Sequence, residues 1–161
     1  MTFAAAQSTP PIRVTPRGGP LRVLVLSQYP IKTPMHGGQV RLRAVTDALR
    51  RCGCEVETIG IFPDFAFPPE QRGALDVVIA SNAFNDAYFA EPLFGDLAIT
   101  SFLLSRPALR DMAFSRIASF SPDVIWLEHP FLYPLVEEAR SYGITTKLVY
   151  SSANDESALK R

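Results

Sequence analysis

The sequence predicts an α/β domain of Rossmann-like type, in which a parallel sheet begins at about Leu21 and carries helices on both faces. Two observations lead to this prediction. Short apolar runs rich in β-branched residues alternate with amphipathic segments of helical period, and several of these runs end in polar residues. Strands that alternate with helices favour a parallel sheet with right-handed crossovers. Ligands of such sheets bind beyond the carboxyl ends of the strands, so the polar residues there are the first candidates for a site.

The composition is that of one folded domain. The chain has 161 residues, 47% of them hydrophobic and 20% charged, which is enough to bury a core. Sixteen basic residues balance sixteen acidic ones, so no overall field attracts nucleic acid. No apolar run reaches the roughly 20 residues of a membrane-spanning helix, so we expect any membrane contact to be peripheral. Cys52 and Cys54 match no zinc or redox motif and are interpreted as free thiols of a cytoplasmic protein.

The first half of the chain predicts three strands and one clear helix. Residues 1–20, rich in Pro and Gly, are interpreted as a flexible leader before a domain that runs from 21 to 161. A strand over 21–26 opens into a loop, and the helix after it has its apolar positions at Leu42, Val45, Leu49 and Cys52. Gly53 suits the left-handed cap of that helix. We expect further strands over 55–61 and 74–80, separated by a Phe- and Pro-rich segment over 62–69.

The second half predicts helices and two more strands. Residues 82–102 are aromatic-rich and of ambiguous period, and we place helix there. Pro107 suits the first turn of a helix that runs to Phe120. Strands over 124–127 and 145–150 flank a helix over 131–142, which Gly143 closes.

Polar residues follow three of these strands and predict one rim. They are Ser27, Gln28 and Tyr29 after the first strand, Glu128 and His129 after the fourth, and Ser152 and Asn154 after the fifth. Each residue taken alone is also typical of a turn or a helix cap, so the prediction rests on their convergence. His129 stands out because imidazole donates, accepts or carries charge near neutral pH, although a loop histidine beside proline also serves structure alone.

The loop before the first helix has the ingredients of a phosphate site. Gly37 and Gly38 leave backbone N–H groups free at the positive end of a helix dipole. Two glycines also serve a tight turn, and the local sequence does not separate these interpretations. The pattern is neither the G-x-G-x-x-G fingerprint nor a Walker loop. His36 and His129 are the only histidines, and neither has carboxylates at ligand spacing, so we expect no metal.

Several of these segments, in order, resemble family-4 retaining glycosyltransferases. Three segments are similar to the beginning of the sequences of that family. They are residues 21–28, the pattern Pro34-x-x-Gly37-Gly38-x-x-Arg41, and residues 52–56. Residues 122–130 and 150–156 are similar to two later strand ends of the same amino-terminal domain. The chain departs from the family at Ala153, where histidine is often found before the asparagine.

The resemblance implies an amino-terminal half of a GT-B fold, whose carboxyl-terminal donor domain lies outside this chain. The activity implied is transfer of a hexosyl group from a nucleotide-sugar donor to a sugar or lipid-linked acceptor, with no bound cofactor. This half holds mainly the acceptor, and we expect it to be inactive alone. By the resemblance, the donor phosphates lie near Gly37, Gly38 and Arg41, and His129 is catalytic. The acceptor residues are Gln28, Tyr29, Glu128, Ser152 and Asn154.

A second hypothesis is a non-catalytic Rossmann-like module that keeps the scaffold and the ligand rim. Ala153 and the end of the chain shortly after the fifth strand favour the module. The downstream reading frame separates the two hypotheses, because continuation into a second α/β domain supports the enzyme. An oxidoreductase is disfavoured because the glycine fingerprint is missing.

Overall fold

The computed structural model describes residues 18–90 and 95–151, which include every predicted strand. Most of the interpreted leader therefore lies outside the described residues. The strands and helices are, in chain order, β1 (Arg22–Ser27), α1 (Gly37–Arg51), β2 (Glu55–Pro63), β3 (Val77–Ile79), α2 (Ser81–Ala90), α3 (Gly95–Ser105), α4 (Pro107–Phe120), β4 (Val124–Leu127), α5 (Tyr133–Ser141) and β5 (Lys147–Tyr150). Short 3₁₀ turns at Pro69–Gln71 and Pro130–Leu132 precede β3 and α5.

The described strands form one parallel sheet in the order β3-β2-β1-β4-β5, which confirms the predicted α/β, Rossmann-like fold. From β1 the chain moves outward through α1 to β2 and β3. It then crosses through α2, α3 and α4 to β4, on the other side of β1. The direction of winding therefore reverses between β1 and β4, and the carboxyl ends of these two strands border the crevice where such sheets bind ligands.

Helices cover both faces of the sheet because successive strand side chains point to opposite faces. On one face, Leu24 and Leu26 of β1 belong to a buried cluster with side chains of α2 to α5, among them Phe114 and Leu135. On the other face, the smaller cluster joins Val23, Val25 and Val56 to Leu42 of α1. The two clusters fix α1 and α3 on opposite sides of the β1–β4 crevice.

Two predicted left-handed caps are confirmed. Gly53 follows α1 with φ 84°, and Gly143 follows α5 with φ 85°. Both conformations are strained for residues with a Cβ, which explains the glycines. Ser121 takes the same conformation after α4, with φ 49°, and the sequence analysis did not predict it.

Three predicted elements need correction. The strand predicted over 74–80 is only Val77–Ile79, because Asp76 belongs to a turn in which its N–H donates to the Gly73 carbonyl at 3.3 Å. β2 instead runs on to Pro63, so that Phe62 is fully buried in a strand and not in a loop. The helix predicted within 82–102 is two helices, α2 and α3, with 91–94 outside the described residues.

Smaller corrections concern helix and strand ends. Cys52 is the exposed C-cap of α1 and not part of its apolar face. The helix predicted over 131–142 begins as a 3₁₀ turn, and α5 starts at Tyr133 with Pro134 in its first turn. β5 begins at Lys147 instead of 145.

Candidate functional site

Four of the predicted site residues meet where β1 and β4 end. Gln28 and Tyr29 follow β1, while Glu128 and His129 follow β4. The backbone N–H of Gln28 donates to Nδ1 of His129 at 3.4 Å. The rings of Tyr29 and His129 contact edge to face, with centroids 4.9 Å apart. The strand ends therefore bring the Gln28 backbone close to His129, and the side chains of Tyr29 and His129 into contact, at the reversal of winding.

An ion pair with a buried carboxylate joins α1 to this cluster. The Arg41 guanidinium donates through NH2 to Oε1 of Glu128, and through NH1 to the Ser151 hydroxyl at 3.4 Å. The Tyr29 hydroxyl donates to the same Glu128 oxygen at 3.3 Å. The Glu128 side chain is 1% exposed and that of Arg41 35% exposed. The Glu128 carboxylate thus connects α1 to the loop after β1, and Arg41 extends this connection to Ser151 after β5.

Gln39 fixes the loop between β1 and α1. It is fully buried, and its Nε2 donates to the Pro30 carbonyl at 2.7 Å. Its Oε1 accepts from the N–H of Met35 at 2.7 Å and from that of His36 at 3.3 Å. His36 is the N-cap, and its Nδ1 accepts from the Gln39 N–H at 3.4 Å. This reciprocal capping box holds the amino end of α1 against the site.

The two loop glycines have different surroundings. A Cβ at Gly38 would lie 2.9 Å from the Tyr29 hydroxyl and 3.4 Å from the His36 ring, so glycine is needed there for close approach. A Cβ at Gly37 would meet nothing within 4 Å. The close contact with Tyr29 is a structural reason for glycine at position 38. The same contact places the first turn of α1 beside the cluster. Since the Gln39 N–H is already taken by His36, Gly37 and Gly38 carry the N–H groups at the amino end of α1, the kind of position where helices bind anions.

His129 is held as a neutral hydrogen-bond donor. Because Nδ1 accepts from the backbone N–H of Gln28, the proton of the neutral ring is assigned to Nε2. Burial lowers the pKa of His129 below its ordinary value. The Asp96 carboxylate opposes that shift, while Arg41 and His36 add to it. The favoured form is therefore an imidazole that offers Nε2–H.

Two buried oxygens at the site have no hydrogen-bond partner among the described residues. They are Oε1 of Gln28 and Oε2 of Glu128. Gln28 is otherwise anchored, since its Nε2 donates to the Asp96 carbonyl at 2.6 Å in the first turn of α3. Burial also raises the pKa of the Tyr29 phenol, against the effect of Arg41, so Tyr29 stays a neutral donor. Uncommitted acceptors beside neutral donors suit a ligand that carries hydroxyl groups.

The structure does not place every predicted residue. Ser152 and Asn154, and with them Ala153, lie outside the described residues. In contrast, the site includes Asp96 and Ser151, which the sequence analysis did not predict. Ser151 follows β5 directly and shares the strand-end signal of its neighbours. Asp96 carries no such signal, because it reaches the site through the packing of α3.

A groove of about 710 Å³ lies at the opposite, amino-terminal edge of the sheet. It is lined by the end of α4 and the starts of β4 and β5, with Asp123, Arg140 and Lys147 among its residues. Over residues 18–90 and 95–151, no group of three or more His, Cys, Asp or Glu side chains is placed to hold a metal ion. No helix in that part of the chain is long and apolar enough to cross a membrane.

The fold and the site define a doubly wound α/β domain with a polar crevice between β1 and β4. Comparison with protein-family models, with curated proteins and with solved structures finds no match for the chain.

Proposed function

We propose that this chain is the acceptor-side domain of a sugar-transferring enzyme similar to the family-4 retaining glycosyltransferases. Its substrates are a nucleotide-sugar donor and a sugar or lipid-linked acceptor, and its setting is the cytoplasm. The observation that carries the proposal is the convergence of the Gln28 backbone N–H with the side chains of Tyr29, Glu128 and His129 at the β1–β4 crevice. The motifs that carry the resemblance supply these same residues.

The chemistry of the cluster is compatible with sugar transfer. In that reaction the bond between the anomeric carbon and a diphosphate oxygen breaks, the carbon bonds to the acceptor oxygen, and the acceptor hydroxyl proton passes to the departing diphosphate. Nε2–H of His129 suits a hydrogen bond to a sugar oxygen and, in this tautomer, does not take up the acceptor proton. The free oxygens of Gln28 and Glu128 suit acceptor hydroxyl groups.

The roles of the other predicted residues follow the resemblance. The N–H groups of Gly37 and Gly38 lie at the amino end of α1, where a diphosphate is stabilised by the helix dipole. The donor domain, and with it most contacts to the nucleotide, belongs to the second half of such enzymes. Ser152 and Asn154 remain predicted acceptor residues.

The test is an assay of the protein encoded by the complete reading frame. We expect release of nucleoside diphosphate from one member of a panel of UDP-, GDP- and ADP-sugars, when a lipid and sugar extract supplies the acceptor. The 161-residue chain alone, assayed in parallel, should release none. Micromolar binding of a nucleotide sugar to the chain alone would contradict a donor pocket in the other half. Absence of release by the complete protein from every donor would instead favour the non-catalytic module.

A further inference from the structure

Arg41 has contacts in the structure that suggest a different role from that of the nearby Gly37 and Gly38. The resemblance implies that all three residues lie near the donor phosphates. In the structure, however, the Arg41 guanidinium is already engaged through NH2 with Glu128 and through NH1 with Ser151. Phosphate recognition by arginine uses the same planar fork of N–H donors. Two of its five N–H donors are therefore committed to the protein, and its charge is balanced by Glu128.

Glu128 needs this counter-ion. Its side chain is 1% exposed, and Arg41 is the basic side chain that forms an ion pair with it in the described part of the chain. A buried carboxylate that loses its only cation is strongly destabilising, because water does not replace the lost partner. The Tyr29 hydroxyl, bound to the same oxygen, is a neutral donor and does not balance the charge.

We propose that Arg41 is a positioning residue, which holds Glu128 ionised and oriented and does not bind the donor phosphates. Arg41 and Tyr29 both engage Oε1 of Glu128, so Oε2 is left as the free acceptor. A ligand hydroxyl donates to Oε2, and this second step rests on the proposed function. The counter-ion role stands without it, because it follows from burial and contact alone.

The first test is a double-variant cycle measured by urea unfolding of the 161-residue chain. Arg41→Met should raise the unfolding equilibrium constant by on the order of 100- to 1,000-fold, since it leaves Glu128 buried without a cation. Adding Glu128→Gln should recover most of this loss, so that the double variant is more stable than Arg41→Met alone. Arg43→Met is the matched control, because Arg43 also lies on α1 but pairs with Asp47 on the surface. Additive effects of Arg41→Met and Glu128→Gln would overturn the counter-ion role.

The second test asks whether Arg41 binds phosphate. Its readout is the affinity for pyrophosphate, which does not depend on how much Arg41 stabilises the fold. Calorimetry with inorganic pyrophosphate should give affinities for wild type and Arg41→Met that agree within about twofold. Glu128→Gln should bind pyrophosphate more tightly than wild type, because it releases the Arg41 fork. A tenfold or larger loss of pyrophosphate affinity in Arg41→Met would overturn the proposal. If Arg41→Met does not fold, the double variant Arg41→Met, Glu128→Gln takes its place, because it lacks the Arg41 cation without leaving Glu128 as an unpaired charge.

The third test concerns the complete protein with an identified donor and acceptor. Arg41→Lys should raise the acceptor KM by at least fivefold and leave the donor KM within twofold. The opposite split would overturn the assignment. If the complete protein transfers no sugar, the proposed function fails, while the unfolding cycle and the pyrophosphate titration still decide the role of Arg41.

Discussion

The two edges of the sheet differ in how they use polar side chains. At the amino edge, Asp123 accepts from the backbone N–H of Arg22 at 2.9 Å, and Arg22 pairs with Glu55 on the surface. At the carboxyl edge, Glu128 is buried against Arg41 and keeps one oxygen unpartnered. The amino edge therefore uses its charges in local contacts with the backbone and surface, while the carboxyl edge holds a charge that has been removed from water.

The larger opening and the stronger indication of a ligand lie at different edges of the sheet. The groove of about 710 Å³ lies at the amino edge, where Lys147 is exposed and Arg140 pairs with Glu137 of its own helix. One buried hydroxyl without a partner, that of Thr146, lines this groove within the described residues. An unpartnered hydroxyl costs less to bury than a carboxylate, so the stronger indication of a ligand is at the carboxyl edge.

The largest expected difference between the edges is in turnover. In the complete protein, His129→Ala should lower kcat by a factor on the order of 100, because it removes a positioned donor from the site. Lys147→Ala, at the amino edge, should leave kcat within about twofold of wild type. Initial rates at saturating donor and acceptor measure both effects. Equal rates for wild type and His129→Ala would make His129 a structural residue.

The next effect compares the two glycines at the carboxyl edge. Gly38→Ala should lower the free energy of unfolding by about 1–2 kcal/mol, because the new Cβ displaces the Tyr29 hydroxyl from Glu128. Gly37→Ala should instead leave it unchanged or raise it by up to about 1 kcal/mol, since space is open and alanine restricts the unfolded chain. Urea unfolding of both variants measures this pair. Equal effects would show that Tyr29 does not constrain the loop.

A third prediction uses the pKa of His129, which burial holds below its ordinary value. The imidazole is then neutral in the fold and takes up a proton more readily after unfolding. Its contribution to stability is complete above the ordinary pKa of about 6.5 and is lost as the pH falls through the lower pKa of the folded protein. His129→Asn keeps an acceptor for the Gln28 N–H but does not titrate.

The measurement is the free energy of unfolding from about pH 8 to about pH 5 for wild type and His129→Asn. The difference between the two should stay constant above about pH 6.5, and wild type should lose stability relative to the variant below it. Other titrating groups, such as the buried Asp76, act in both proteins and cancel in the difference. Parallel curves over the whole range would contradict a buried, neutral His129.

Local sequence patterns predicted the strands and helix ends that depend only on neighbouring residues. The apolar runs gave β1 and β4, and Gly53 and Gly143 marked two helix ends, because these signals depend only on neighbouring residues. The convergence of Gln28 with His129 followed from strand direction, since parallel strands end at one edge. The tautomer of His129 did not follow, because it depends on a single hydrogen bond between two strand ends.

Features that depend on packing between distant segments could not be predicted. Asp96 reaches the site only because α3 packs on the sheet, and its own segment has no clear helical period. β3 is short because the Asp76 carboxylate accepts from the N–H of Gly60 at 2.7 Å and of Gly73 at 2.6 Å, which places Asp76 in a turn. The pairing of Arg41 with Glu128 spans 87 positions of the chain, and no local pattern indicates it.

The smallest expected effect belongs to the surface ion pair at the amino edge. Glu55 accepts from Arg22 at 3.1 and 3.2 Å, with side chains 27% and 49% exposed for Arg22 and Glu55. Exposed ion pairs contribute little to the free energy of unfolding, because water stabilises each separate charge almost as well as the partner charge does. The Arg22 guanidinium also lies 4.6 Å from the centre of the Phe120 ring, so its position does not depend on Glu55. Glu55→Ala should therefore lower the free energy of unfolding by less than about 1 kcal/mol.

A high salt concentration should affect the two ion pairs differently. At about 1 M NaCl the Debye length is about 3 Å, so the effect of Glu55→Ala should disappear. The coupling between Arg41 and Glu128 should persist under the same conditions, because the Glu128 carboxylate is buried and ions have little access to it. Urea unfolding of the Glu55 variant and of the Arg41–Glu128 cycle at low and high salt measures both. A loss above about 2 kcal/mol for Glu55→Ala, or equal salt sensitivity of the two pairs, would contradict the distinction between an exposed amino edge and a buried carboxyl edge.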